Sequence, residues 1–138
     1  MLAVAEFIVA PDIEVAAIAE LNAHLPFFGG PSTVVSTSVI SPLPDRFIRV
    51  LVTGGTQRDM VTDAPTITVE CWTKREGDSE RLAAWSRAIL EAAGRNGLMG
   101  GVVCYAVATL SRPQNLPHPT ITDRFRYTFT VSADLRMI

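Results

Sequence analysis

The sequence predicts a small α+β protein, and three patterns support that prediction. Apolar residues recur at helical spacing in two segments, which predicts two amphipathic helices. Strict alternation of apolar and polar residues over 124–135 predicts an antiparallel strand with one buried face. Four further segments rich in β-branched residues have turn-forming boundaries, as strands do. The order α-β-β-β-α-β-β implies a single mixed or antiparallel sheet of about five strands flanked by two helices.

Length and composition limit the possible classes of protein. The chain has 138 residues, of which 48% are apolar and 19% charged. Because this length is too short for two cores, residues 1–138 are expected to form a single domain. The formal net charge of −2 provides no basic footprint for nucleic acid. The low charged fraction indicates that a partner subunit covers part of the surface.

The first helix is predicted to follow Pro11, with Asp12 as its N-cap and an end near His24. Pro26 disfavours helical geometry in the residue before it, so residues 27–31 are expected to form a loop. The apolar stripe of this helix, which we expect to be buried, comprises Ile13, Ala16, Ala17, Leu21 and Leu25.

Three strands are predicted before the second helix, at residues 33–40, 46–53 and 66–72. The strand at 46–53 has apolar residues on both faces, so we expect it to lie centrally and to be covered on both sides. Residues 54–65 are polar and too many for a tight hairpin connection, which indicates either a functional or a disordered loop.

The second helix is predicted to begin at Asp78 or Ser79 and to end near Ala93, with Gly94 and Gly97 as the stop signal. The residues at helical spacing that share one face of this helix are Leu82, Trp85, Ser86, Ile89 and Ala93.

Two strands are predicted after the second helix. The first runs from residue 102 to about 110, and the proline-rich segment 111–122 is expected to be irregular. The second is the alternating segment described above. Its inward side chains are expected to be Phe125, Tyr127, Phe129, Val131, Ala133 and Leu135.

No residue pattern predicts a reaction centre or a cofactor. His24 and His118 have no Cys, Asp or His at ligand spacing. Cys71 and Cys104 fall in apolar, strand-like segments, so reduced core cysteines are expected. Neither Gly54–Gly55 nor Gly100–Gly101 leads into a helix with a phosphate-binding pattern. We therefore expect a structural or binding protein that is not an enzyme.

Asp59 and Asp63 are the carboxylates that most resemble a functional pair. Two carboxylates four residues apart suit a cation or an acid–base pair, but loop carboxylates are more often turn formers and salt-bridge partners. We favour the second interpretation, and we predict no metal site.

The N-terminal residues 1–10 are apolar, but Glu6 interrupts them and no basic region precedes them. They make a poor secretion signal, and no segment is long and apolar enough for a membrane span. We expect the protein to be made and used in a cytoplasm.

Four segments carry a resemblance to a known family. They are 44–55 (PDRFIRVLVTGG), 61–72 (VTDAPTITVECW), 112–119 (RPQNLPHP) and 124–135 (RFRYTFTVSADL). In this order, with the second helix between them, they resemble the tail-terminator family of long-tailed bacteriophages, in the form found among actinobacterial phages. The resemblance covers most of the chain from about residue 12 onward.

The resemblance implies a virion structural protein that assembles in the host cytoplasm. Such proteins form a ring, usually a hexamer, on the head-proximal end of the tail tube, where the ring ends polymerisation and provides the surface for head–tail joining. The implied partners are other copies of the chain, the tail tube protein and the head–tail connector protein. The resemblance implies no cofactor, active site, membrane or nucleic-acid sequence recognition.

Two segments are expected to contact the tube or neighbouring subunits, because long irregular segments with polar side chains suit interfaces. They are 54–64 and 112–119. The candidate interface residues are Gln57, Arg58, Asp59, Met60, Asp63, Arg112, Asn115 and Leu116.

Three alternatives remain open on the sequence. One is a different head–tail completion or neck protein of similar size. Another is a small α+β enzyme or ligand-binding domain, which predicts a deep apolar cavity with convergent polar groups. The last is a scaffold or adaptor subunit of a contractile or secretion apparatus.

Overall fold

The computed structural model describes residues 6–138, so the first half of the apolar N-terminal stretch lies outside it. Within these residues, helices α1 (Ile13–His24) and α2 (Glu76–Asn96) pack on one face of a six-stranded sheet. The strands are β1 (Val34–Ser36), β2 (Arg46–Gln57), β3 (Thr62–Thr73), β4 (Leu98–Met99), β5 (Val102–Asn115) and β6 (Phe125–Arg136).

The spatial order of the strands is β1-β2-β3-β6-β5-β4. β1 pairs with β2 in parallel, and all other pairs are antiparallel. The predicted α+β class and mixed sheet are therefore confirmed. The sheet has six strands where about five were predicted, because the two-residue β4 was not recognised. β1 is also shorter than the predicted strand at 33–40.

The first helix forms where the sequence predicts it. Asp12 Oδ1 accepts a hydrogen bond from Val15 N at 3.2 Å, which confirms the predicted N-cap. At Leu25 the chain passes into a single 3-10 turn, Leu25–Phe28, where a loop was predicted; Pro26 fits there because a first turn needs no amide from it. All five members of the predicted apolar stripe are buried.

α2 begins at Glu76, slightly earlier than predicted. Ser79 is not the N-cap; its Oγ donates to Glu76 O at 2.7 Å inside the first turn. The helix ends at Asn96, later than the predicted end near Ala93, and Gly97 caps it with a φ of 90°. Gly97 is therefore confirmed as the stop signal, whereas the prediction for Gly94 was wrong. Gly94 lies within the helix, where a Cβ would lie 2.6 Å from Val107 N in β5. Its missing side chain lets α2 lie directly on the sheet.

The prediction of a long loop at 54–65 was wrong. β2 and β3 form a long hairpin whose register runs from Arg46↔Thr73 to Gln57↔Asp63, joined by residues 58–61. The segment is polar because this end of the two strands is exposed to solvent. The prediction failed because local composition does not reveal that another strand pairs with the segment. Gly55, with a φ of 115°, lies at a register shift where a Cβ would collide with the backbone of β3.

The prediction that 111–122 is irregular throughout was also wrong. β5 continues to Asn115, and Pro113 lies between Ser111 and Gln114, where the ladder to β6 shifts register. A bulge tolerates proline because the ladder does not use its missing amide. Residues 116–124 then cross the face of the sheet opposite the helices.

The alternation in β6 predicts the core correctly over most of its length. Phe129, Val131, Ala133 and Leu135 are buried against the helices, whereas Phe125, at the start of the strand, is 42% exposed. Cys71 and Cys104 are buried and unbonded to each other. Burial raises the pKa of Cys71 to about 12 and also raises the pKa of Cys104, so both remain thiols at neutral pH.

Candidate interaction surfaces

The first group of predicted interface residues lies at the tip of the β2–β3 hairpin. Arg58 N and Asp59 N both donate to Thr62 O, at 3.0 and 3.3 Å, and close the turn. Gln57 Nε2 donates to Asp59 O at 2.8 Å, and the Asp59 carboxylate accepts from Val61 N at 2.9 Å. The hydrogen bond from Val61 is the main reason that the pKa of Asp59 is lowered. Asp59 therefore forms the turn.

Arg58 joins the hairpin tip to β6. Its guanidinium pairs with the Asp134 carboxylate, which is mostly buried while the Arg58 side chain is 63% exposed. Asp63, the other acidic residue of interest, lines a shallow cleft with Gly54 and Pro65. Residues 6–138 contain no cluster of three or more His, Cys, Asp and Glu side chains that suits a metal ion.

Exposed apolar side chains surround the hairpin tip. Met137 N donates to Val61 O at 2.8 Å, and Val9 and Ile138 exchange two backbone hydrogen bonds of 2.8 Å. The N-terminal segment, the C-terminus and the tip thus meet at one end of the sheet. The exposed apolar residues there, which we call the end surface, are Phe7, Val9, Met60, Val61 and Ile138, each 56–87% exposed.

A surface with several large exposed apolar side chains close together is typical of one that a partner covers. Of the residues in the end surface, Met60 is the one that the sequence predicted as an interface residue. The contact between Val9 and Ile138 joins opposite ends of the chain, and no local pattern indicates it.

The second group of predicted interface residues lies at the opposite end of the sheet. Asn115 pairs with Tyr127 at the start of β6, whereas the hairpin tip lies beside Arg136 at its end. Along the strand this separation is roughly 30 Å. Arg112 and Asn115 are exposed and Leu116 is 41% exposed. The structure therefore separates the two groups.

Hydrogen bonds fix this second end. Leu116 N donates to Arg126 O at 3.0 Å, and Arg126 Nε donates to Leu116 O at 2.7 Å. Asn115 Nδ2 donates to Glu76 Oε1 at the start of α2, at 3.2 Å. The segment that follows β5 is thus held in place, although it contains several prolines.

Among residues 6–138, only the segment at this second end covers the face of the sheet opposite the helices. The His118 ring lies over Trp72, with 5.3 Å between their centroids. Glu70 is 8% exposed and lies 3.0 Å from an Arg126 nitrogen and 3.6 Å from an Arg49 nitrogen. This buried network fixes the covering segment to the sheet.

The remainder of that face, which we call the open face, carries Leu51, which pairs with Thr68, and a set of small polar side chains. The Thr53 and Thr68 hydroxyls lie 3.1 Å apart, and those of Thr68 and Thr130 lie 3.4 Å apart. These contacts make a row of hydroxyl groups across β2, β3 and β6. The small polar side chains of the open face are Thr53, Thr66, Thr68, Thr130 and Ser132.

Both edges of the sheet lack strand partners over much of their length within the described chain. β1 pairs only with β2 residues 47–49, which leaves the outer edge of β2 from Val50 to Gln57 without a strand. On this edge Val52 N donates to the Glu14 carboxylate of α1 at 2.9 Å. β4 pairs only with Val102 and Val103, which leaves the outer edge of β5 from Tyr105 onward without one. Such edges are templates for pairing with another chain. The register shifts and the proline of β5 limit regular pairing to about residues 106–109.

The helices of the described residues include none that is long and apolar enough to cross a lipid bilayer. No protein-family model and no curated protein matches the chain. Among solved structures, the chain is similar to a chain of the "Virion of native gene transfer agent (GTA) particle". The TM-score is 0.53 at 14% sequence identity, and the match covers 90% of this chain and 94% of the other. The two proteins therefore share a fold over nearly their whole lengths.

Proposed function

We propose that the protein is a structural subunit of a phage or phage-like virion, and that it acts as a tail terminator. The likeness to a chain of a gene transfer agent virion supports the wider class, because that chain has the same fold over 94% of its length. The four segments that resemble tail terminators support the narrower function. We propose a structural role without catalysis.

The observation that carries the proposal is the pair of unpaired sheet edges on opposite sides of the subunit. A head-to-tail contact between different surfaces of identical subunits closes into a ring when the rotation allows it. If the β5 edge of one copy meets the β2 edge of the next, the strands run antiparallel, because β2 and β5 point in opposite directions. Only a short stretch of β5 is regular enough to pair, which favours the β2 edge of the next copy over uncontrolled pairing with other strands.

The packing of the helices determines which face lines the hole of such a ring. Both helices cover one face of the sheet, and their bulk favours the outside of a closed sheet. The open face, with Thr68 and Thr130 at its centre, then surrounds the channel. Its hydroxyl groups remain solvated there, and the row carries no net charge of its own.

The two ends of the sheet are then the two axial faces of the ring. We propose that the end surface contacts the last ring of the tail tube, because apolar groups suit a permanent contact. The opposite end, with Arg112 and Asn115 exposed, then meets the head–tail connector. In this proposal the second end does not match the surface of a tube subunit, so no further tube subunit adds and polymerisation ends.

The proposal is tested by removing the protein from the assembling particle. We expect tails of irregular, excessive length that fail to join heads, measured in negative-stain images. A labelled copy is expected at the head-proximal end of the tail. Tails of normal length in its absence would refute the terminator function, and a label elsewhere in the virion would assign the protein to that position.

A paired substitution tests the end surface. Met60→Asp with Val61→Asp is expected to leave the ring intact, since neither residue lies on the proposed lateral edges, and to abolish capping of tubes. Val15→Asp is the matched control, because Val15 is 63% exposed on α1 and lies on the outer side of the ring. Equal capping by both variants would show that the end surface does not contact the tube.

A further inference from the structure

We infer that Arg46 of one copy receives the Glu80 carboxylate of the next copy, forming an ion pair across the ring interface. This inference rests on the proposed ring and names the contact that holds its subunits in register. Arg46 and Glu80 line different clefts of the subunit, one beside the C-terminal end of α1 and the other between α2 and β5.

Arg46 lies at the start of β2 and lines a cleft of about 240 Å³. The cleft opens between the C-terminal end of α1 and the segment 29–33, and Asn22, Ser32 and Thr33 add polar groups to its wall. The guanidinium carbon lies 5.9 Å from the centroid of the Trp85 ring, which limits the positions that the side chain adopts. The guanidinium is thus held at the wall of an open cleft.

Arg46 lacks an acidic partner in its own subunit. Among residues 6–138, no carboxylate lies within 4 Å of the guanidinium nitrogens, and the Arg46 side chain forms no hydrogen bond. Its Nε is buried without a partner. A half-buried guanidinium without a partner loses part of its hydration and gains nothing in return. A carboxylate compensates for the lost hydration by accepting charge-assisted hydrogen bonds from the guanidinium.

Gly30 keeps the cleft accessible to such a carboxylate. A Cβ at Gly30 would lie 2.7 Å from Arg46 Nη1, and its φ of 83° is unfavourable for other residues. The backbone therefore approaches the guanidinium closely while leaving its remaining donors free. The exposed Phe27, at 83%, stands next to the cleft in the same turn and provides apolar contact area.

Glu80 provides the carboxylate on the other flank. It is exposed on α2, and it lines a shallow cleft with Arg112, Pro113 and Tyr127 above β5. Glu80 forms no ion pair and no hydrogen bond within the described chain, whereas Glu91 in the same cleft bonds to Arg87 and Thr109. Of the two acidic residues that line this cleft, Glu80 is therefore the one without a hydrogen bond or ion pair in the described chain.

The strand register places the two groups at nearly the same height. Arg46 of β2 pairs with Thr73 of β3. Two residues further along β2, Ile48 pairs with Cys71 of β3, which in turn pairs with Tyr127 of β6. Glu80 lines the same cleft as Tyr127, so Arg46 and Glu80 are separated by roughly 7 Å in the direction of the strands. The long side chains of arginine and glutamate are able to span this distance.

The helices place the groups on facing flanks. α1 packs over β1 and β2, whereas α2 packs mainly over β5 and β6. In a ring whose axis follows the strands, the β5 flank of each copy faces the flank of the next that carries β1 and β2. Glu80 of one copy then points towards the cleft of Arg46 in its neighbour.

Charge reversal tests the pair. Arg46→Glu and Glu80→Arg are each expected to raise the protein concentration needed for half-assembly by at least about tenfold, because like charges then meet at every interface. The double variant Arg46→Glu with Glu80→Arg is expected to assemble again. Assembly is followed as particle mass by mass photometry, and circular dichroism checks that each variant folds.

Mixing the two single variants gives a sharper result. In a ring that alternates Arg46→Glu copies with Glu80→Arg copies, every interface contains one acid and one base. We therefore expect the mixture to form rings with an even number of subunits, although neither variant does so alone. Arg81→Glu is the matched control, because Arg81 is exposed on α2 with no hydrogen bond or ion pair in the described chain, and it should assemble normally.

The results separate this inference from the proposed function. Wild-type rings together with undiminished rings of both single variants would overturn the ion pair and leave the ring in place. Loss of assembly by Glu80→Arg that neither the double variant nor the mixture restores would also overturn it. A wild-type protein that forms no ring, alone or on tail tubes, would refute the proposed function and the ion pair together.

Discussion

Phe125 and Phe129 give a direct test of the structure, because the sequence pattern treats them alike. Both are phenylalanines on the inward face of β6, four residues apart. Phe129 is fully buried opposite Val69, whereas Phe125 is 42% exposed opposite Thr73. Replacing each with alanine therefore separates the effect of alternation from the effect of burial.

The expected costs differ clearly. Truncation of a fully buried phenylalanine to alanine lowers the free energy of unfolding by about 3–5 kcal/mol, through lost apolar burial and the cavity that remains. Phe125→Ala removes a side chain that is already about half solvated, so we expect a loss of about 1–2 kcal/mol. Phe129→Asp is expected to prevent folding, because it buries an unpaired charge.

Urea denaturation monitored by circular dichroism measures both losses. With an m-value of about 1.5 kcal/mol/M, Phe129→Ala is expected to lower the midpoint by at least about 2 M and Phe125→Ala by about 0.7–1.3 M. Equal shifts would refute the assignment of the core to the second half of β6. A soluble, cooperatively unfolding Phe129→Asp protein would have the same consequence.

Three further substitutions test local features. Gly94→Ala is expected to destabilise the fold by about 1–3 kcal/mol, because the new Cβ would press on Val107 N, 2.6 Å away. The wild type is expected to lose about 1.4 kcal/mol of stability per pH unit above pH 9 relative to Cys71→Ala, because the unfolded thiol ionises there while the folded thiol, with a pKa of about 12, does not. Arg58→Ala is expected to cost under about 1 kcal/mol, since the Arg58 side chain is 63% exposed.

Each of these expectations has a control. Gly77→Ala lies in the same helix with open space around the new Cβ, so it should be neutral or stabilising, and an equally harmless Gly94→Ala would contradict the close contact of α2 with β5. Identical pH dependence of wild type and Cys71→Ala would show that the thiol is not buried. A loss above about 2 kcal/mol for Arg58→Ala would mean that its pair with Asp134 is more buried than the structure shows.

The elements that the sequence predicts well are those whose determinants are local. The cap at Asp12, the stripe of α1 and the glycine stop at Gly97 each depend on residues within one or two helical turns. The alternation in β6 likewise reflects one strand and one buried face. Such patterns survive in the fold because nothing from a distant segment overrides them.

The errors share a different cause. Residues 54–65 and 111–115 are strands because a neighbouring strand pairs with them, although glycine, proline and polar residues in both segments indicate irregular structure. Gly55 and Pro113 lie at register shifts that absorb their unusual geometry. Only knowledge of the partner strand distinguishes a bulged hairpin from a loop.

The candidate surfaces were predicted only in part for the same reason. Met60 and Arg112 were identified from the polarity and length of their segments, and both are exposed. The end surface and the cleft of Arg46 depend on contacts between segments far apart in the chain. Val9 meets Ile138, and Arg46 meets Trp85, in ways that no spacing within one segment encodes.

The backbone pairing of Val9 with Ile138 has a practical consequence for how the protein is handled. Polypeptide added after Ile138 emerges beside Phe7 and Met60, so a purification tag or fluorescent fusion there would shield the surface proposed to touch the tube. A label inserted into the loop 117–123, at the opposite end of the sheet, leaves that surface bare. The choice of attachment point thus decides which axial contact a tagged protein is able to make.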